Sequence, residues 1–236
     1  MKKSTVLLCS LLIGGGIIGG ESAFAAQIYP DPTHGTVDAE ITFSKDTDPI
    51  DPTDPTDPEK PIDPTDPTNP NGDELMITYA SNLKFGTHTK SDTSWHGLAD
   101  EMKDGSKIVP IVATKDARGT DRQGWSLTAK LDNDFTDSNG NILKGAELKL
   151  SNLAYANASG APIASAGEIT LSSSEQEVGR ADATNGVGNW SIGMGTLQAD
   201  GTTNGVTLSV PSTTVKNSDT YSTTVTWNLV EDPSLP

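Results

Sequence analysis

Two short stretches repeat one pattern of side chains that could bind a sugar. GWSLTAKL contains Trp125 and Leu127, and VTWNLVED contains Trp227 and Leu229, although the chain has only four Trp residues. Side chains alternate along a β-strand, so each Trp would share a face with its Leu. An exposed indole would stack on the C–H face of a sugar ring, whereas a buried indole would belong to the core. Both readings stay open. We expect the two strands to meet and jointly form, or support, one ligand-binding face.

Residue types that usually carry catalysis are sparse. The chain has three histidines (His34, His88 and His96), and no G-x-S-x-G motif is present. The eight-residue spacing of His88 and His96 is not that of a zinc site. A glycosidase needs two placed carboxylates, and 32 acidic residues single out no pair. We therefore predict a non-enzymatic protein without cofactor.

One acidic loop could suggest calcium. The stretch LDNDFTDSNGN offers hard oxygen ligands from Asp132, Asp134, Asp137 and Asn139. However, Phe135 stands where an EF-hand needs its first ligand, and Ala146 stands where it needs a bidentate Glu. A hairpin turn on Asn139-Gly140 explains the same residues. We predict the turn and no metal ligand.

The first 25 residues are typical of an export signal. Lys2 and Lys3 precede an apolar stretch, and Ala23-Phe24-Ala25 fits a cleavage site. Cleavage would remove the sole cysteine, Cys9, and would leave 14 basic against 31 acidic side chains, a charge of −17. Such a chain repels nucleic acid and anionic lipid. We expect a secreted protein with no membrane span after the signal is removed.

Two further segments precede the main domain. Within residues 26–45, Val37, Ala39, Ile41 and Phe43 alternate with polar residues, which predicts one strand. Residues 46–72 are rich in Asp, Pro and Thr, and proline favours extended geometry. We predict an extended spacer here.

Residues 73–236 are predicted to form one all-β domain, an antiparallel β-sandwich or open barrel-like fold. Short β-prone runs are separated by turn residues, as in sandwiches and barrels. They cover 76–79, 107–113, 124–131, 147–153, 168–172, 188–192, 206–210 and 221–230. Residues 94–105 leave room for one short helical turn, and we place Trp95 and Trp190 at loop edges.

The order of several motifs resembles one known family. SNLKFGTH, DARGTDRQGWSLTAKL, LKGAELKL, GVGNWSIG, VTLSVP and YSTTVTWNLVEDP occur in succession between about residues 75 and 233. This region is similar to the WxL domain of Gram-positive surface proteins, and it contains both of the family's Trp-x-Leu motifs. The resemblance implies non-covalent attachment to peptidoglycan at the cell wall and companion cell-surface proteins of the same system.

Two functions of different kinds follow from that resemblance. The first is a wall-binding module that tethers or assembles a surface complex. The alternative is an adhesin whose β domain binds a host matrix protein or a partner surface protein. Residues 26–45 are too few for a separate adhesive domain, so adhesion would have to use the β domain itself.

Overall fold

The computed structural model describes residues 28–232, which divide into one unit ending at Ser44 and a second unit beginning at Lys45. The predicted export signal, residues 1–25, lies outside the described residues. Among residues 28–232, no helix is long and apolar enough to cross a membrane.

The first unit contains a small β-hairpin. Strand β1 (Ile28–Asp31) pairs with β2 (His34–Thr36), and the Asp31 carboxylate accepts a hydrogen bond from the Thr33 backbone N–H at 2.9 Å. The strand predicted after it, on Val37 to Phe43, is not formed, and Phe43 is 84% exposed. Alternation yields a strand only where another strand supplies the hydrogen-bond ladder, and here β1 and β2 pair with each other.

The second unit is built from short strands. In chain order they are β3 (Thr53–Asp54), β4 (Asp57–Pro61), β5 (Leu75–Ala80), β6 (Ser94–Leu98), β7 (Asp100–Glu101), β8 (Lys107–Ile108), β9 (Ile111–Asp116), β10 (Gly124–Leu131), β11 (Glu147–Leu150), β12 (Leu153–Ala154), β13 (Ile163–Ala164), β14 (Ile169–Thr170), β15 (Gln176–Ala181), β16 (Gly188–Met194), β17 (Thr202–Ser209) and β18 (Val225–Asp232). The room left for a helical turn at 94–105 is not used, because β6 occupies the first part of this stretch and pairs with β17.

Three antiparallel four-stranded sheets organise these strands. Their orders are β13-β15-β10-β18, β14-β11-β17-β6 and β12-β16-β9-β5, and the pairs β3-β4 and β7-β8 form two-stranded sheets. Alternate side chains of the central strands meet in one hydrophobic core, which includes Leu127, Leu148, Val178, Ile192 and Val206. The predicted all-β antiparallel sandwich is therefore confirmed.

The Asp/Pro/Thr-rich segment, which the sequence predicts as an extended spacer, packs onto the domain. Strands β3 and β4 form a hairpin in which Thr53 and Asp54 are buried. Ile62 belongs to a second apolar cluster with Met102 and Ile111. Proline does enforce local extension, but the few apolar groups of this segment still find a surface to cover.

A buried lysine holds the start of the same segment. The Lys115 side chain is 3% exposed, and its Nζ donates to the backbone carbonyls of Asp46 and Asp48 at 3.0 Å each. The Asp46 carboxylate lies 3.1 Å from the same Nζ. A buried ammonium group needs such partners, so residues 46–48 complete the domain.

Candidate functional site

The two Trp-x-Leu motifs lie side by side, as predicted. Strands β10 and β18 pair antiparallel, with Leu127 opposite Leu229 and Ala129 opposite Trp227. Residues directly opposite in a sheet present their side chains to the same face. Both motifs therefore contribute to one face, and that face is directed at the hydrophobic core.

The first motif is part of the core. Trp125 is 1% exposed and Leu127 is 0% exposed. A Cβ atom added at Gly186 would lie 2.4 Å from the Ala181 Cβ and 3.1 Å from the Trp125 Nε1, and Gly186 has a φ of +72°. The chain thus keeps a glycine where the indole ring needs the room. Trp125 has no exposed surface with which to contact a ligand.

The second motif is only partly covered. Trp227 and Leu229 are partly buried and pack against the same core. Strand β18 is the edge of its sheet, whereas β10 is flanked by β15 and β18. Because one flank of β18 has no neighbouring strand, Trp227 reaches a surface depression as well as the core.

This depression, which we call the aromatic groove, lies between two long loops. Loop 81–93 connects β5 to β6, and loop 210–224 connects β17 to β18. The groove has a volume of about 1310 Å³. Its partly buried aromatic side chains are Phe85, Trp95, Tyr221 and Trp227. Loops this long without secondary structure are uncommon in compact domains and are usually either functional or linker segments.

The sequence did not show that these aromatics converge. Trp95 was expected at a loop edge, but it is the second residue of β6, where it lines the groove. Trp190 was also expected at a loop edge, but it is 6% exposed in β16 and its Nε1–H donates to the Val187 carbonyl at 2.8 Å. The length of the two loops is the signal that could have identified the groove.

Hydrogen bonds fix one wall of the groove. The Asp137 carboxylate accepts from the Asn217 Nδ2 at 2.9 Å, from the Asn141 backbone N–H at 2.8 Å and from the Asn139 backbone N–H at 3.0 Å. These bonds, led by that from Asn217, lower the pKa of Asp137 to about 2. Loop 210–224 is thereby attached to the 132–146 connection.

The acidic connection 132–146 behaves as the predicted hairpin turn. Gly140 follows Asn139 with a φ of +82°, and Thr136 bridges to Ile142. The oxygens of the Asp137 carboxylate are directed at amide donors of its own connection, 132–146, and of loop 210–224. Within residues 28–232, no group of three or more His, Cys, Asp or Glu side chains is arranged to hold a metal ion.

Comparison with known families identifies the chain at this point. The family model of the WxL domain, described as surface cell wall-binding, matches residues 31–233. The chain belongs to the WxL family. No curated protein and no solved structure was found to match it. The match begins well before residue 75 and includes the Asp/Pro/Thr-rich segment, in agreement with the packing of that segment on the domain.

In this WxL protein, an arginine joins the ends of both motif strands. The Arg118 guanidinium donates to both oxygens of the buried Asp116 at 2.9 Å and also to the Gln123 carbonyl at 2.9 Å. Its Nη1 lies 2.9 Å from the Glu231 carboxylate on β18. The hydrogen bond to Asp116 is the main reason that the pKa of Arg118 is raised, so the guanidinium group stays charged. It secures β18, and hence Trp227, beside β10.

The groove of this WxL domain has the chemistry of a carbohydrate site. Flat aromatic faces suit the C–H faces of sugar rings, and convergent polar groups orient a ligand in an otherwise apolar pocket. Asn82, Thr87, Asn217 and Thr220 supply amide and hydroxyl groups along the same lining. These are the side-chain types that line carbohydrate sites in general.

Proposed function

We propose that this WxL-family chain is a non-catalytic surface protein of a Gram-positive bacterium, exported and held non-covalently on peptidoglycan by its β domain. The observation that carries the proposal is the partly exposed Trp227 in a groove shared with Phe85, Trp95 and Tyr221. The family's description as surface cell wall-binding supports attachment to the wall.

The four motif residues have different roles in this proposal. Trp227 is the stacking surface for a sugar ring. Leu229, Trp125 and Leu127 act indirectly, because they fill the core beneath β18 and fix the position of Trp227. A mutation in the first motif would then affect binding only through the fold.

The tethering role is supported by the first unit. Val37, Ile41 and Phe43 are 70%, 75% and 84% exposed, which is unusual for an alternating apolar segment. We propose that this segment contacts a companion surface protein. In the alternative, an adhesin, the β domain itself binds a host matrix protein or a partner surface protein. Deleting residues 28–44 should then leave binding to purified walls unchanged. Loss of wall binding from a folded deletion variant would contradict this division of labour.

Sedimentation with purified peptidoglycan tests the wall-binding proposal. We expect Trp227→Ala to lose roughly tenfold in affinity, as for a residue at the centre of a binding surface. Val230→Ala is the matched control, because Val230 is on the same strand, faces the opposite side beside Ser126 and is 41% exposed. Melting curves of both variants must show folded protein. If folded Trp227→Ala sediments like the control, the groove is not the wall-binding surface.

A further inference from the structure

The charge of the aromatic groove is opposite to that of the whole chain. The protein has 32 acidic and 16 basic side chains, yet among residues 28–232 the groove is lined by Lys84, Lys90 and Lys216 and by a single carboxylate, that of Asp219. Long-range attraction of the whole chain to an anion is therefore weak, whereas positive side chains outnumber negative ones along the groove.

Lys216 is the best positioned of the three lysines. Its Nζ lies 5.6 Å from the centre of the Trp95 ring and donates to the backbone carbonyls of Lys90 and Asp92 at 3.1 and 2.8 Å. Within residues 28–232, no carboxylate lies within 4 Å of the Lys216 or Lys90 ammonium group, whereas Lys84 is 3.4 Å from Asp66. Neutral carbonyls orient the Lys216 ammonium group but leave its charge uncompensated.

The acidic groups near this end are occupied by other donors. Asp219 accepts from the Ser138 hydroxyl at 2.5 Å and from the Asn139 Nδ2 at 3.4 Å. Asp92 accepts from the Thr89 hydroxyl at 3.3 Å. Their charges moderate the local potential, but their oxygens are directed at hydroxyl and amide groups.

Trp95 adds a further positive edge. Its Nε1 is buried and has no acceptor among residues 28–232, and the edge of an indole ring is electropositive. The centroids of the His88 and Trp95 rings are 5.6 Å apart, and the interplanar angle is 33°.

We propose that the Lys90/Lys216/Trp95 corner of the groove is a subsite for an oxyanion carried by the wall polymer. The inference rests on the proposed wall-binding function. In peptidoglycan, the oxyanion is a carboxylate of the lactyl-peptide substituent on muramic acid, and in a phosphate-rich wall polymer it is a phosphate. In both cases, the sugar stacks on Trp227 while the anion lies against the two ammonium groups. A neutral polymer of N-acetylglucosamine offers the stacking surface but no anion.

Isothermal titration with three soluble probes tests the subsite. The probes are a muramyl-peptide tetrasaccharide, neutral chitotetraose and a short poly(glycerol phosphate). The variants are Lys90→Gln and Lys216→Gln, with Lys130→Gln as the matched control because Lys130 is on β10 and does not line the groove. Lys216→Gln would remove the hydrogen bonds to the Lys90 and Asp92 carbonyls and could disturb the loop. Lys90→Gln remains informative in that case, since among residues 28–232 no carbonyl accepts a hydrogen bond from the Lys90 ammonium group.

We expect each groove variant to weaken binding of an anionic probe roughly tenfold, as for loss of a charged hydrogen bond. Chitotetraose binding should change less than about twofold, and the control should match the wild type throughout. Dependence on the lysines with the muramyl-peptide probe assigns the anion as a carboxylate, and dependence with the phosphate polymer assigns it as a phosphate. Equal effects on all probes, or none on either anionic probe, would overturn the subsite. If the wild type binds no probe and no purified wall, the proposed function itself fails.

Discussion

The two Trp-x-Leu motifs have the same local pattern, lie on adjacent strands and face the same core, yet their tryptophans are in different environments. Trp125 is 1% exposed in β10, which has a partner strand on each side. Trp227 is partly buried in β18, the edge of the sheet, and lines the aromatic groove. Strand order, rather than the motif, determines which indole can meet a ligand. In the function proposed here, the first copy serves stability and the second serves recognition.

The largest effect should come from truncating the first copy. We expect Trp125→Ala to lower the free energy of unfolding by about 3–5 kcal/mol, because it leaves a cavity in the core. That is a large part of the stability of an ordinary domain, so wall binding should fall only as far as folded protein is lost. Thermal melting and sedimentation of the same sample measure both. Full stability with lost binding would reverse the roles of the two copies.

A smaller loss should follow from crowding the first copy. Gly186→Ala places a methyl group against Ala181 and the Trp125 indole and forces a non-glycine residue to a φ of +72°. We expect a loss of about 1–3 kcal/mol in the free energy of unfolding, as for other overpacked sites. Gly140→Ala is a useful control, because its φ is +82° but nothing lies within 4 Å of the added methyl group. A loss no larger than that of the control would show that Trp125 has room to move.

Truncating the second copy should separate binding from stability. Trp227→Ala removes a partly buried ring at the edge of the sheet, so its melting temperature should fall less than that of Trp125→Ala. The loss of roughly tenfold in affinity should nevertheless persist at temperatures where the variant is fully folded. Equal melting temperatures for the two Ala variants would show that the two copies share one structural role.

Low pH should weaken the attachment of loop 210–224, which lines the groove beside the second motif. Hydrogen bonds from the Asn217 side-chain amide, and from the side-chain amide and backbone N–H of Asn141, hold the pKa of Asp137 at about 2, below its ordinary value of 3.8. The stabilisation is therefore complete above about pH 5 and is lost as the pH falls from about 4 towards 2. Asp137→Asn should flatten the dependence of the melting temperature on pH across that range. An unchanged slope would mean that Asp137 does not anchor loop 210–224.

Only part of this arrangement follows from the sequence. The period-two alternation of Trp125-Leu127 and Trp227-Leu229 predicted two strands sharing a face, and their pairing is confirmed. The burial of Trp125 could not be predicted, because it depends on β15 and β18 flanking β10. Trp190 was misplaced for a similar reason, since its glycine-rich surroundings are typical of loops while β9 and β12 flank its strand.

Composition was a weaker guide than periodicity. The segment 46–72 has the residues of a free linker, but Ile62 and the carbonyls that Lys115 needs bind it to the domain. The groove was also hidden, because Phe85 and Trp227 are far apart in sequence and long-range packing brings them together. Its position needed the fold, whereas the family motifs alone suggested a wall-binding protein.

The most direct test of the difference between the two motifs follows all four indole N–H groups at once. In a nitrogen–proton correlation spectrum of the ¹⁵N-labelled protein, each Trp gives one indole cross-peak, which single Trp→Phe variants assign. On titration with a muramyl-peptide tetrasaccharide, we expect the cross-peaks of Trp227 and Trp95 to shift together, while those of Trp125 and Trp190 stay in place. A shift of Trp125 without Trp227, or no shift of either groove indole at saturating ligand, would contradict the proposal that the second Trp-x-Leu copy binds the wall.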